Sequence, residues 1–353
     1  MDGKNFREGL TFDDVLLEPR ASAVIRSEVS LETKLTKKIK ISIPVVAAAM
    51  DTVSELSMAL SLAKLGGVAV LHRNCSIEKQ VGWVRAIKKK KLLAAAAAGP
   101  GDLPRALKLD RAGCDIIVVD TAHAHDLRSL ASAREIKRRI KAQLIVGNVA
   151  TGEAAVEICK FADGIKVGIG PGSICTTRIV AGIGVPQLTA IMDVAAVAAK
   201  KGVPVIADGG MRYSGDIVKA LAAGASSVML GSMLAGTKEA PGDLIKHHGE
   251  LYKSYRGMGS LGVMESGRSA DRYFQKNAKE YVPEGIEGMI KYKGPLKDVV
   301  TQILGGLRSG MGYIGAKTIP DMKKQARFIR ITNAGLRESH PHNVTITKKA
   351  PNY

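Results

Sequence analysis

The chain has 353 residues, of which 46% are hydrophobic and 24% charged, so it can build a sizeable core and is not a largely disordered protein. Aromatic residues make up only 4% while glycines number 38, so the core must come from Ala, Val, Ile and Leu with many tight turns, as suits an α/β enzyme. The formal net charge of +19 favours anionic ligands without choosing among nucleotides and polyanions.

The start, MDGKNFREGL, lacks the apolar centre of a signal peptide, and no apolar stretch reaches the roughly 18 residues of a membrane span. Cys75, Cys114, Cys159 and Cys175 form no CxxC pair, so a cytoplasmic protein with free thiols is expected. From Pro44 to Gly231 short apolar runs alternate with helical patterns. Eight runs read as strands: PVVAAAM from Pro44, VAVLH from Val68, LLAAAAA from Leu92, DIIVVD from Asp115, LIVGN from Leu144, GIKVG from Gly164, PVIADGG from Pro204 and SVMLGS from Ser227. Their near-continuous apolarity implies burial on both faces, and eight such βα units close a (β/α)8 TIM barrel. The run Lys88–Lys91 reads as a solvated helix end in a short junction before the third strand. Two segments fall outside the repeat, a Gly-, Ser- and Tyr-rich excursion over 242–292 expected to be an active-site flap, and a polar tail over 317–353. A single catalytic barrel domain, 1–353, is expected.

In such barrels chemistry sits just beyond the C-terminal ends of the strands. Met50 follows the first strand, Asp120 ends the fourth and Asn148 the fifth, while Asp208 and Gly210 end the seventh and Gly231 and Ser232 the eighth. After the sixth comes GIGPGSICTTR, whose glycines free the backbone to present amides to an anion or carbonyls to a cation. Cys175 in that loop is either a nucleophile or a structural thiol. Gly209, Gly210, Gly231 and Ser232 occupy the usual barrel phosphate site, and Asp208 can accept the hydroxyls of a ribose, which together suit a nucleoside monophosphate. Asp120 reads equally as a helix cap, and His123 with His125 lacks the third ligand a metal site needs.

Across nearly its whole length the chain resembles the inosine 5′-monophosphate (IMP) dehydrogenases. GLTFDDVLL, GIGPGSICTTR, IADGGMRYSGDIVKALAAGA, YRGMGSLG, DRYFQ, VPEGIEG and ESHPH occur in that family's order. The resemblance implies NAD-dependent oxidation of IMP to xanthosine monophosphate, with Cys175 attacking the purine at carbon 2 and Thr177 assisting water activation. It implies that Arg272 and Tyr273, on a flap that enters the vacated dinucleotide site, hydrolyse the adduct. Substrate contacts would be Met50, Ser173, Asp208, Gly210, Met229, Gly231 and Ser232, joined by Tyr255, Gly257, Met258, Gly259 and Glu284. Asp120 and Asn148 would face the dinucleotide. A potassium ion would take carbonyls of Gly170, Gly172 and Cys175, with Glu338, Ser339 and His340 from a neighbouring subunit, implying a homotetramer. Most members carry a tandem cystathionine-β-synthase-type module between the second helix and third strand; here the sequence runs straight through near 86–92. Ala124 stands where the family pattern has Gly.

The nearest rival is GMP reductase, a sister barrel that lacks the Arg-Tyr flap pair. A rival from another class, a noncatalytic nucleic-acid-binding barrel, rests on the charge alone and lacks interleaved aromatics, leaving nucleic acid as a weak side activity.

Overall fold

A computed structural model describes residues 6–266, 270–273, 275 and 280–353. All eight expected strands form and pair in parallel into one closed ring. They are Val45–Ala47, Val68–Leu71, Ala95–Ala98, Ile116–Asp120, Gln143–Val149, Gly164–Val167, Val205–Asp208 and Ser227–Leu230, and the eighth returns to the first through pairs such as Val228 with Val45. The fold is the (β/α)8 TIM barrel.

Strand side chains alternate between two cores. Val46, Val68, Val70, Ala95, Ala97, Ile116, Val118 and Ile206 fill the interior, while Val45, Ala47, Leu71, Ala96, Ile117 and Val119 pack outward against the helices. Both faces are therefore dry, which is why the strands read as unbroken apolar runs. A hairpin of Thr33–Lys34 and Lys40–Ile41 plugs the N-terminal end, adding Leu35 and Ile41 to the interior cluster. Helix Ile77–Lys89 passes to the third strand through residues 90–94 alone. Lys88 departs from the expected solvated helix end, because its Nζ lies 2.8 and 2.7 Å from the two carboxylate oxygens of Asp115; Lys89 to Lys91 are exposed.

The eighth helix, Leu296–Ile314, follows only after the excursion expected as a flap. Its base is an antiparallel sheet of Leu244–His247, Glu250–Arg256 and Glu287–Lys291. Its inner arm holds helix Leu261–Glu265 and a single 3-10 turn, Ala270–Tyr273. Positions 267–269, 274 (within DRYFQ) and 276–279 of that excursion lie outside the described residues. In the tail, strand Phe328–Arg330 pairs antiparallel with Val15–Leu17, and helix Asn333–Glu338 follows.

Candidate active site

The cysteine loop leaves the sixth strand through Gly168 and Gly170, whose φ values of 147° and 78° are conformations other residues rarely adopt. Two polar side chains hold it in place. Gln187 Nε2 donates to the Val167 and Asp208 carbonyls (2.9 and 3.0 Å), and Arg178 donates to the carbonyls of Ile169 (3.3 Å) and Val185 (2.6 Å). At the loop's tip the Cys175 thiol lies 3.2 Å from Thr177 Oγ1. Cys175 is half-buried and lines a cavity of about 230 Å³. The other three cysteines are buried, and burial pushes their thiols upward, Cys114 to about 12, which leaves them protonated.

The excursion is stitched onto this loop by backbone. Thr176 N donates to Glu284 O and Ile286 N to Ile174 O, each at 3.0 Å, and Gly257 N donates to Ile286 O at 3.0 Å. The 3-10 turn then enters the rim between the second and fourth strands. Ala122 N and Thr121 Oγ1 donate to the Arg272 carbonyl (3.2 and 3.3 Å), and Arg73 Nη1 grips both carboxylate oxygens of Asp271 (2.9 and 3.0 Å). This seats Arg272 and Tyr273 on the cavity wall with Cys175. Burial pushes the Arg272 guanidinium below its ordinary value, with nearby Arg73 acting the same way and Tyr273 opposing. Burial raises the Tyr273 phenol, against the pull of Arg272. Arg272 Nε has no hydrogen-bond partner among the described residues.

Beneath the flap lies a charged cluster. Lys166, on the sixth strand, is 1% exposed and faces the interior. Its Nζ is 2.7 Å from Asp208 Oδ2 and 3.0 Å from Asp120 Oδ1, and it also donates to Asn148 Oδ1. Gly147 makes room, since a Cβ there would lie 2.5 Å from that of Lys166. Asn148 Nδ2 donates to Gly168 O (2.6 Å) and Asp208 Oδ2 (3.0 Å). Arg272 Nη1 pairs with the second oxygen of Asp120.

On the opposite wall Gly209 and Gly210 adopt φ of 90° and 83°, and Tyr255 stands beside Ser173 and Ser232 on the cavity lining. Burial raises the Tyr255 phenol to about 12, so it remains a donor. Nearly every expected residue lines this one cavity: Met50, Ser173, Asp208, Gly210, Met229, Gly231 and Ser232, with Tyr255, Gly257, Met258 and Glu284, then Asp120, Asn148, Gly170, Gly172 and Thr177. Gly259 sits behind the wall, where its missing side chain admits the Tyr273 ring. Glu338, Ser339 and His340 do not line the cavity; His340 packs on Tyr213, 5.9 Å between ring centres. The rings of His123 and His125 lie 6.2 Å apart, and no group of three metal-binding side chains exists among the described residues. Ala124 is fully buried, its amide 2.8 Å from Asn148 O.

Sequence reading missed Lys166, Arg73 and Asp271. For Lys166 the signal was a charge in the middle of GIKVG, a run otherwise buried on both faces, where a lysine must find carboxylates. The residues fit a dinucleotide: a buried carboxylate, Asp120, has an oxygen that ribose hydroxyls can claim if Arg272 withdraws.

Residues 9–342 match the family model described as "IMP dehydrogenase / GMP reductase domain". The chain is 49% identical to an inosine-5′-monophosphate dehydrogenase of Cryptosporidium parvum, with all of both chains covered. It is 45% identical to one of Borreliella burgdorferi, covering 98% of this chain and 99% of the relative. A third, from Aquifex aeolicus, is 42% identical over 99% of this chain and 98% of its own.

Proposed function

Because the chain belongs to the IMP dehydrogenase / GMP reductase family, in a form without the cystathionine-β-synthase-type module, we propose that it oxidises IMP to xanthosine 5′-monophosphate with NAD, for guanine nucleotide synthesis. The observation that carries this choice is the seating of Arg272 and Tyr273 beside Cys175, because a reductase of the sister type has no use for that pair. Four free thiols suit a cytoplasmic enzyme.

The substrate's phosphate rests on the amides of Gly210, Gly231 and Ser232 and on Ser173, its ribose hydroxyls on Asp208, and its purine beside Met50, Met258 and Glu284. The Cys175 thiolate bonds to carbon 2 of the purine, and a hydride leaves that carbon with its electron pair. NAD, when bound, would supply the hydride acceptor, and Asp120 would hold its ribose with Asn148 near the reacting ring. With Arg272 seated in an empty dinucleotide site, its neutral form takes the proton of a water held by Thr177 and Tyr273. The hydroxyl joins carbon 2, the C–S bond breaks, and the electron pair returns to Cys175. Loop carbonyls of Gly170, Gly172 and Cys175 would hold potassium with Glu338, Ser339 and His340 of another copy, in a homotetramer.

The test is absorbance at 340 nm with IMP and NAD, with and without potassium, together with mass spectrometry of the quenched enzyme. The proposal expects potassium-stimulated reduction and a nucleotide adduct on Cys175 that Cys175→Ala abolishes. Turnover retained by Cys175→Ala, or activity with GMP and NADPH in place of IMP and NAD, refutes it.

A further inference from the structure

We propose that Lys166 is a positioning residue that binds Asp120 and Asp208 into one charge cluster, short of balance by one positive charge, which Arg272 and an oxidised nicotinamide ring supply in turn. This rests on the reading that Asp120 meets the nicotinamide ribose. Asp120 and Asp208 come from the fourth and seventh strands, and Lys166, from the sixth, lies within 3.0 and 2.7 Å of them. Two carboxylates and one ammonium leave a net charge of −1. Lys166 and Asp120 are buried and Asp208 is only partly exposed at the cavity wall, so an unbalanced charge there is costly. In the observed state Arg272, paired to the free oxygen of Asp120, brings the sum to zero.

Three of these four charges are fixed on barrel strands and the fourth rides on the flap. When Arg272 withdraws, the pocket returns to −1 and favours a cationic occupant. An oxidised nicotinamide ring carries one positive charge, and the hydride that reduces it brings two electrons and leaves the ring neutral. Reduction therefore removes the balancing charge, and the return of Arg272 restores it. Lys166 sets the size of the effect. Without it the pocket stands at −2 and over-selects cations; without Asp120 the pocket stands at zero and loses the selection.

The test uses full-length enzyme carrying Cys175→Ala, with IMP bound so that no turnover occurs. Calorimetry gives Kd for the oxidised and the reduced dinucleotide, and the quantity of interest is reduced over oxidised. A unit charge acting over several ångströms through an effective dielectric of about 20 changes affinity by at least about tenfold. Asp120→Asn should lower the ratio by about tenfold or more, and Lys166→Met should raise it by a similar factor, while Lys166→Arg should restore the parent value. Loss of ribose hydrogen bonds weakens both dinucleotides alike and cancels in the ratio, as does general damage. Ratios within about twofold of the parent, or moving the same way in Asp120→Asn and Lys166→Met, overturn the proposal. If Lys166→Met does not fold, Asp120→Asn against the parent decides alone. Failure of the parent to bind either dinucleotide refutes the dehydrogenase reading instead.

Discussion

In the proposed mechanism Arg272 enters the space that the dinucleotide vacates, so its substitution should separate the two half-reactions. In Arg272→Ala the first turnover should release NADH stoichiometric with enzyme at a near-normal rate, followed by a steady state slower by about 10²- to 10⁴-fold while the Cys175 adduct accumulates. Tyr273→Phe should slow the same phase less, because a hydroxyl that orients water is easier to replace than the base. Rapid-quench kinetics read both phases; a burst suppressed as much as the steady state would move the pair to substrate binding or folding. The pH dependence has a fixed sign. Burial lowers the Arg272 pKa while its pairing with Asp120 keeps most of it protonated, so the neutral fraction that acts as base is small and grows as pH rises. Steady-state turnover should climb through the alkaline range while burst amplitude stays flat. A carboxylate base, with an ordinary pKa near 4, would have reached its plateau by neutral pH.

Among the elements, the flap depends on a position with no side chain. A Cβ on Gly259 would lie 2.5 Å from Tyr273 Cζ and 2.7 Å from its hydroxyl. Gly259→Ala should therefore expel the ring and reproduce the Tyr273→Phe defect or a deeper one, with NADH burst and melting temperature near the parent's. A melting temperature that falls with activity would instead make Gly259 a folding position. The barrel strands were legible because burial on both faces writes itself as unbroken apolarity, and the cavity was legible because glycines and polar residues cluster where those runs end. GIKVG was legible as a strand, yet the partners of Lys166 lie 46 residues before it and 42 after it, and only ring closure brings Asp120 and Asp208 to it. The flap's three-stranded base was hidden for a different reason: its strand Leu244–His247 is exposed along its length and leaves no apolar run to read. Arg73 and Asp271 pair across 198 residues, a contact that no local pattern announces.

For the molecule as a whole, the passage from helix Ile77–Lys89 to the third strand through residues 90–94 leaves no place for an inserted nucleotide-sensing module. At saturating IMP and NAD, ATP and GTP should leave the rate unchanged, since allostery needs a second site with differential affinity. A sigmoidal purine response under those conditions would reveal an effector site elsewhere. The closed ring also sets the order of events during synthesis. Strand Val45–Ala47 finds its partner only in Ser227–Leu230, so the ring stays open until the chain has grown past Leu230. Until then two strand edges present unpaired amides and carbonyls, an invitation to wrong pairing that persists for most of translation. The nascent GIGPGSICTTR loop leaves the ribosome during that interval, without Asp208 or the flap to enclose it. Its thiol, the nucleophile of the proposed mechanism, is then as open to oxidants and electrophiles as an ordinary cysteine, before the fold has given it a site.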